Sequence, residues 1–197
     1  MPIEFISPCE PATEEEVTEA ERLVEVRIPE DYRGFLLGEC NGGRPKTNVL
    51  DDDDAGVGVD EFLGVGTGGD SDIARVYETS RDRMPSWLLP VAHAAGGNLI
   101  CLSLREEDRG SVWFWDHEVE AEEGREATEE NLTRVDDRFS SFVSRLNVPE
   151  GSDLPGAEGP PGLDRPSVRR GAAAQGAAQR VTTARCARTD LRVRFRP

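Results

Sequence analysis

The sequence predicts an α+β fold: a mainly antiparallel twisted sheet bracketed by N-terminal and C-terminal helices, with a disordered C-terminal tail. Three observations predict it. Two helix signals with firm starts and stops open the chain. Two apolar runs, Leu99 to Leu104 and "SVWFW", flank a polar connection as the strands of a hairpin would. Phe139, Phe142, Val143 and Leu146 then recur at helical spacing near residue 145. A chain of 197 residues suits one domain of roughly 100–200 residues plus a tail, placed here at 1–150 and 151–197.

The first helix starts at Thr13, which forms a capping box with Glu16, and Glu14 and Glu15 suit the positive helix end. Val17, Ala20, Leu23 and Val24 make its buried stripe. The stretch "IPEDYRGFLLGECNGGRP" holds the second helix. Pro29 occupies the first helical position, Tyr32, Phe35, Leu36 and Cys40 share one face, and Asn41-Gly42-Gly43 tolerates positive φ at the stop. Val57, Val59, Leu63 and Val65 alternate loosely as a strand, and Ile73, Val76 and Tyr77 suggest a short helix behind Ser71 or Asp72. A turn at Gly96-Gly97 leads into the buried strand Leu99 to Leu104. In its partner, Trp113 and Trp115 point to one face, Val112 and Phe114 to the other. Leu132 and Val135 add a short strand before the closing helix.

Charge divides the chain. Residues 1–150 hold 14 Lys+Arg against 35 Asp+Glu, and residues 151–197 hold 9 Arg against 4 acids. The acidic body repels phosphate and anionic lipid and attracts basic partners. The Ala/Gly/Arg-rich tail has too few core residues to offset its ordering entropy. A tail without function is preferred to a basic arm touching RNA or its own acidic body. Cys9, Cys40, Cys101 and Cys186 form no C-x-x-C pair, and Cys40 and Cys101 sit among apolar neighbours as buried thiols would. With no secretory signal and no run of ~18 apolar residues, a cytoplasmic location is expected.

Motifs for chemistry are weak. Gly64-Val-Gly66-Thr-Gly68-Gly69 matches G-x-G-x-x-G, but Asp70 and Asp72 would repel a pyrophosphate and no parallel β-α-β series surrounds it. "DDDDAGVGVDE" fails the EF-hand register, with Ala55 at the fifth position and Phe62 at the twelfth. Asp116-His117-Glu118 on a strand would not converge on one substrate, since neighbours alternate faces. His117 then reads as a polar strand end, hydrogen-bonded to a carboxylate. No catalytic residue, cofactor or metal is expected.

In order, the blocks "IPEDYRGFLLGECNGGRP", "LLPVAHAAGGNLICLSL", "GSVWFWDHE" and "NLTRVDDRFSSFVSRL" resemble the SUKH superfamily of bacterial immunity proteins, over about residues 10–148. That superfamily also holds a fungal cell-wall-assembly regulator branch. Pro29, Asp31, Tyr32 and Phe35 match its helix motif, and Asn41, Gly42, Gly43 and Pro45 the turn after it. Gly97 and Asn98, then Trp115, Asp116 and His117, match its central hairpin, and Phe139 and Phe142 its last helix. Two positions depart from the pattern: His93-Ala94-Ala95 replaces a more acidic turn, and Arg138 stands where a small residue commonly precedes the first Phe.

The resemblance implies a non-catalytic protein that binds and neutralises a cognate toxin, often a nuclease or another nucleic-acid-modifying enzyme. Carboxylates would cover the toxin's basic surface, without direct nucleic-acid or membrane binding. The alternative is a regulatory module that recruits a cellular partner. Candidate contact residues are Asp51, Asp52, Asp53, Asp54, Asp60, Glu61, Asp70 and Asp72, with Glu106, Glu107 and Asp108 as second choices. Trp113 is a candidate aromatic anchor, and a core role for it stays open.

Overall fold

The computed structural model describes residues 3–50, 57–121 and 125–147. Asp51 to Asp54 and the tail assigned to 151–197 lie outside the described residues.

Helix α1, Glu14–Val24, starts at the expected capping box: Thr13 Oγ1 accepts from Glu16 N at 3.2 Å, and Glu16 Oε2 accepts from Thr13 N at 2.8 Å. Val17, Ala20 and Val24 are buried, but Leu23 is 57% exposed. At about 100° per residue, position 23 falls roughly a quarter-turn away from the stripe that the other three define. Helix α2, Glu30–Gly38, buries Tyr32, Phe35 and Leu36 as expected. Pro29 stands one position earlier than expected, as the N-cap, and its carbonyl accepts from Tyr32 N and Arg33 N. Cys40 is buried but is not a free thiol. It is bonded to Cys9, which ties the N-terminal segment to the end of α2.

Among the described residues, five antiparallel strands form the main sheet in the order β2-β3-β4-β5-β6. They are β2 Glu61–Phe62, β3 Leu88–His93, β4 Leu99–Ser103, β5 Val112–Trp115 and β6 Leu132–Asp136. A separate pair joins β1, Val49–Leu50, to β7, Leu146–Asn147. Leu146 therefore lies beyond the closing helix α4, Phe139–Ser144. Helix α3, Ile73–Ser80, begins at Asp72. The strand expected across Val57 to Val65 contracts to β2, although Val59, Leu63 and Val65 are fully buried.

Both sheet faces are covered at the centre, because every residue of β4 is buried. The register pairs Cys101 with Trp113 and Leu99 with Trp115, so the expected division of the β5 side chains between two faces holds. The segment after α3 crosses the tryptophan face: Met84 Sδ lies 3.9 Å from Cys101 Sγ, and Trp87 meets Trp113 edge-on at 5.3 Å.

An aromatic cluster joins α2, α4 and β2. Phe139 contacts Tyr32 at 4.8 Å, Phe35 at 5.3 Å and Phe62 at 5.8 Å between ring centroids. The Tyr32 hydroxyl reaches the Leu63 and Val91 carbonyls. Val91 O also accepts from Leu63 N, so the hydroxyl matters most to Leu63 O. Tyr32→Phe retains the ring and strips that carbonyl of its donor. A loss of about 1–3 kcal/mol in denaturant unfolding is expected, the usual cost of an unsatisfied buried acceptor.

Candidate functional site

The turn after α2 positions the acidic segment beyond β2. Gly43 and Phe62 exchange both backbone hydrogen bonds at 2.9 Å, which adds a one-residue pair to the free edge of β2. Beside it, Asn41 Oδ1 accepts from Val65 N at 2.7 Å and Asn41 Nδ2 donates to Val65 O at 2.9 Å. The carboxamide thus takes the place of a strand residue. Gly42 has φ +84°, and a Cβ there would sit 2.8 Å from Gly64 N. A Cβ on Gly64 would sit 2.5 Å from Asn41 O. Only glycine at both positions allows the two backbones this approach.

The glycine loop from Gly64 to Gly69 leaves this clasp and enters α3. Asp72 is buried and spends its carboxylate there, accepting from Ala74 N at 3.0 Å, Gly68 N at 3.2 Å and Thr67 Oγ1 at 3.3 Å. The loop's shape is held by a carboxylate where a dinucleotide site would present free amides. Asp72 is thus largely buried, with its carboxylate committed to the loop.

The backbones of Asp60, Glu61 and Asp70 all approach His93. Asp60 N donates to His93 O at 2.8 Å, Glu61 is paired with His93 across β2 and β3, and His93 Nε2 lies 3.2 Å from Asp70 O. Since a carbonyl only accepts, that ring nitrogen carries the proton. Asp60 and Asp70 are exposed and Glu61 is half-buried. Glu61 and Asp70 share a cleft of about 240 Å³ with Asn41, Gly42 and Gly43. Exposed ion pairs hold both loosely, Glu61 to Arg44 at 3.5 Å and Asp70 to Arg75 at 3.1 Å.

Glu106 and Glu107 are exposed in the β4–β5 connection, at the other end of the strands. His93 pairs with Leu99 at the start of β4, whereas Leu88 pairs with Ser103 at its end. At about 3.3 Å per residue the two carboxylate groups are separated by roughly the length of β4. Asp108 belongs to the interior of this turn. It receives Arg105 at 3.1 and 2.8 Å, Ser103 Oγ at 2.5 Å and Ser111 Oγ at 3.1 Å. Trp113 is half-buried and donates through Nε1 to Ser111 Oγ at 2.9 Å. The Arg105 guanidinium stacks 3.8 Å over Trp87, and Trp87 Nε1 donates to Glu129 at 3.1 Å. Trp87 thus joins Trp113 in one half-exposed aromatic group, although nothing in its local sequence marks it out.

The remaining groups suited to chemistry hold structure. The chain leaves the sheet at Trp115, and Asp116 Oδ1 caps a short turn over His117–Val119 by accepting from Glu118 N at 3.0 Å. His117 is therefore not a strand end. Its backbone N and its Nδ1 both meet Asn98 Oδ1 at 2.9 Å, a carboxamide rather than the expected carboxylate. Burial pushes the Cys101 thiol far above its ordinary range and keeps it protonated.

A helix clasped to the edge of an antiparallel sheet, Asn-Gly-Gly at its end and a Phe139–Phe142 helix closing the core form an ordered set. Residues 11–145 match the model of the SMI1/KNR4 family, SUKH-1. The chain belongs to the SUKH-1 family. It is also similar to YokK of Bacillus subtilis strain 168, described as an SPbeta prophage-derived uncharacterized protein. The two are 28% identical over 124 residues, a match covering 54% of this chain and 63% of that relative. The resemblance carried by four sequence blocks thus extends over nearly the whole described region.

One acidic surface of this SUKH-1 protein is not among the contacts expected from the sequence. A groove of about 640 Å³ runs between α1 and α3, lined by Glu14, Glu15, Glu19, Ala20, Leu23 and Ala74. One part of its signal is present in the chain, since residues 14–25 contain six glutamates and one arginine. Glu14 and Glu15 also suit the helix dipole, which masks their place on this rim.

Asp108 gives a pH test of the hairpin turn. Arg105 first, then Ser103 and Ser111, hold its carboxyl down to about 2 against an opposing effect of burial. A carboxyl held that far below its ordinary range contributes about 1–2 kcal/mol, present above pH ~4 and lost as pH falls toward ~2. Asp108→Asn is expected to lower stability at pH 7 by that amount and to flatten the stability profile between pH ~4 and ~2, measured by urea unfolding.

Proposed function

We propose that this SUKH-1 protein is a non-catalytic immunity protein that binds and neutralises a cognate bacterial toxin, of the nuclease or other nucleic-acid-modifying class. Membership of the family over residues 11–145 carries the reading, and the prophage-derived relative supports it. The domain is assigned to 1–150 and the tail to 151–197, with the cytoplasm as the site of action. Among the described residues no helix is long and apolar enough to cross a membrane.

Neutralisation by binding needs no reaction from the inhibitor. It needs a face of fixed shape and the charge opposite to a phosphate-binding groove. Asp60, Glu61 and Asp70 are the proposed contact carboxylates. Glu106 and Glu107, with the Trp87–Trp113 pair beside them, form a second patch. Asp51 to Asp54 are proposed on sequence grounds alone. The carboxylates of Asp72 and Asp108 are proposed to shape the loops that hold them rather than to pair with partner cations. The hydrogen bonds that hold His93 and His117 and the buried, protonated Cys101 favour binding over catalysis.

Co-expression with a candidate toxin domain, sought in the genes adjacent to this one, tests the proposal. Cells are expected to survive with both proteins and to die with the toxin alone. The purified pair is expected to associate at low salt and to weaken as salt screens the contact. Death at an unchanged rate, together with no association at low salt, would falsify immunity for that pair. Association without protection would favour the regulatory, partner-recruiting alternative.

A further inference from the structure

The α1–α3 groove combines an apolar floor with an acidic rim. Its floor is apolar, with Ala20, Ala74 and the 57% exposed Leu23, while Glu14, Glu15 and Glu19 stand along its α1 rim. Glu14 is engaged by Arg33, and Glu19 by Arg22 at 2.7 Å. Glu15 has no ion-pair partner among the described residues. Exposed pairs of this kind exchange readily for a better-placed cation.

The groove is also continuous with the carboxylates already described. Gly66 and Asp72 form its far wall, and the same glycine loop contributes Gly64, Thr67 and Gly69 to the cleft holding Glu61 and Asp70. One loop, fixed by Asn41 and Asp72, therefore separates two acid-lined depressions. A partner surface lying across it would meet negative charge on both sides and apolar surface on the α1 side only.

We propose that this groove is the docking surface for a basic amphipathic segment of the partner protein. Its apolar side chains seat on Ala20, Leu23 and Ala74, and its Lys or Arg side chains meet Glu14, Glu15 and Glu19. This adds a face to the contact proposed above, across the glycine loop from Glu61 and Asp70, and rests on that reading. The two fail separately, since protection of cells by contact at another face would sink the groove and leave immunity standing.

The probe is a fluorescein-labelled amphipathic Lys/Leu peptide of about four helical turns, with a scrambled isomer of the same composition, titrated into the full chain. Amide shifts of the ¹⁵N-labelled protein locate the contact. The amphipathic isomer is expected to bind at least about tenfold more tightly than the scrambled one and to shift amides of residues 14–24 and 64–74. Leu23→Glu is expected to weaken it about tenfold, in line with the value of a buried leucine. Val119→Glu, at a 62% exposed apolar residue elsewhere, is expected to leave binding unchanged. Glu15→Lys with Glu19→Lys is expected to flatten its salt dependence. Equal affinity of the two isomers, no effect of Leu23→Glu, or shifts confined to residues 104–111 would overturn the proposal. So would Leu23-dependent self-association, or occupation of the groove by the chain's own Arg-rich segment, seen as shifts at 165–196 in the Leu23 variant without peptide.

Discussion

The structure depends on a clasp made by the end of α2. The edge segment from Phe62 to Val65 is too short to hold itself in a sheet, with only Glu61 and Phe62 paired along β3 as a strand. The chain from Asn41 to Gly43 supplies what is missing. Gly43 gives Phe62 a backbone partner, and the Asn41 carboxamide gives Val65 both an acceptor and a donor. The Tyr32 hydroxyl reaches the Leu63 carbonyl between them. A buried irregular segment must pair its backbone groups somewhere, and here one helix and its turn provide the partners. The Cys9–Cys40 bond then anchors that turn to the N-terminal segment.

The clasp decides which carboxylates face outward. By fixing Gly64 and Val65 it fixes where the glycine loop begins, and Asp72 fixes where the loop ends. Between them Asp70 is left at the surface beside Asp60 and Glu61, with the α1–α3 groove on the loop's other side. The acidity of the body is thus divided by use. Asp72 and Asp108 are internal ligands of backbone, hydroxyl and guanidinium groups, whereas Asp60, Asp70, Glu106 and Glu107 remain exposed. A binding protein requires this division, because rigidity and charge come from chemically identical side chains in different settings.

Much of this was legible in the sequence where local chemistry decides the outcome. The Thr13–Glu16 capping box, a start of α3 at Ser71 or Asp72 and the β4–β5 pairing follow from short-range signals, and the structure starts α3 at Asp72. The role of Asn41 was half legible. Its dipeptide with Gly42 marks a turn, but a carboxamide pairing with a residue 24 positions away leaves no local trace. Cys40 reads as a buried thiol because pairing with Cys9 depends on where the N-terminal segment runs. Leu23 fits a helical stripe by spacing and misses it by angle, so the groove beside it leaves no periodic signal. Asp72 and Asp108 look like surface charge until the hydroxyls and amides around them are placed.

The clasp can be tested directly by amide hydrogen exchange in an Asn41→Ala variant. If the carboxamide holds the edge segment, Val65 is strongly protected in the parent protein. In the variant, protection should fall selectively from Leu63 through Ile73 while β3, β4 and β5 keep theirs. A uniform loss across the sheet would reduce Asn41 to one stabilising contact among many. Unchanged protection at Val65 would contradict its central place in the structure.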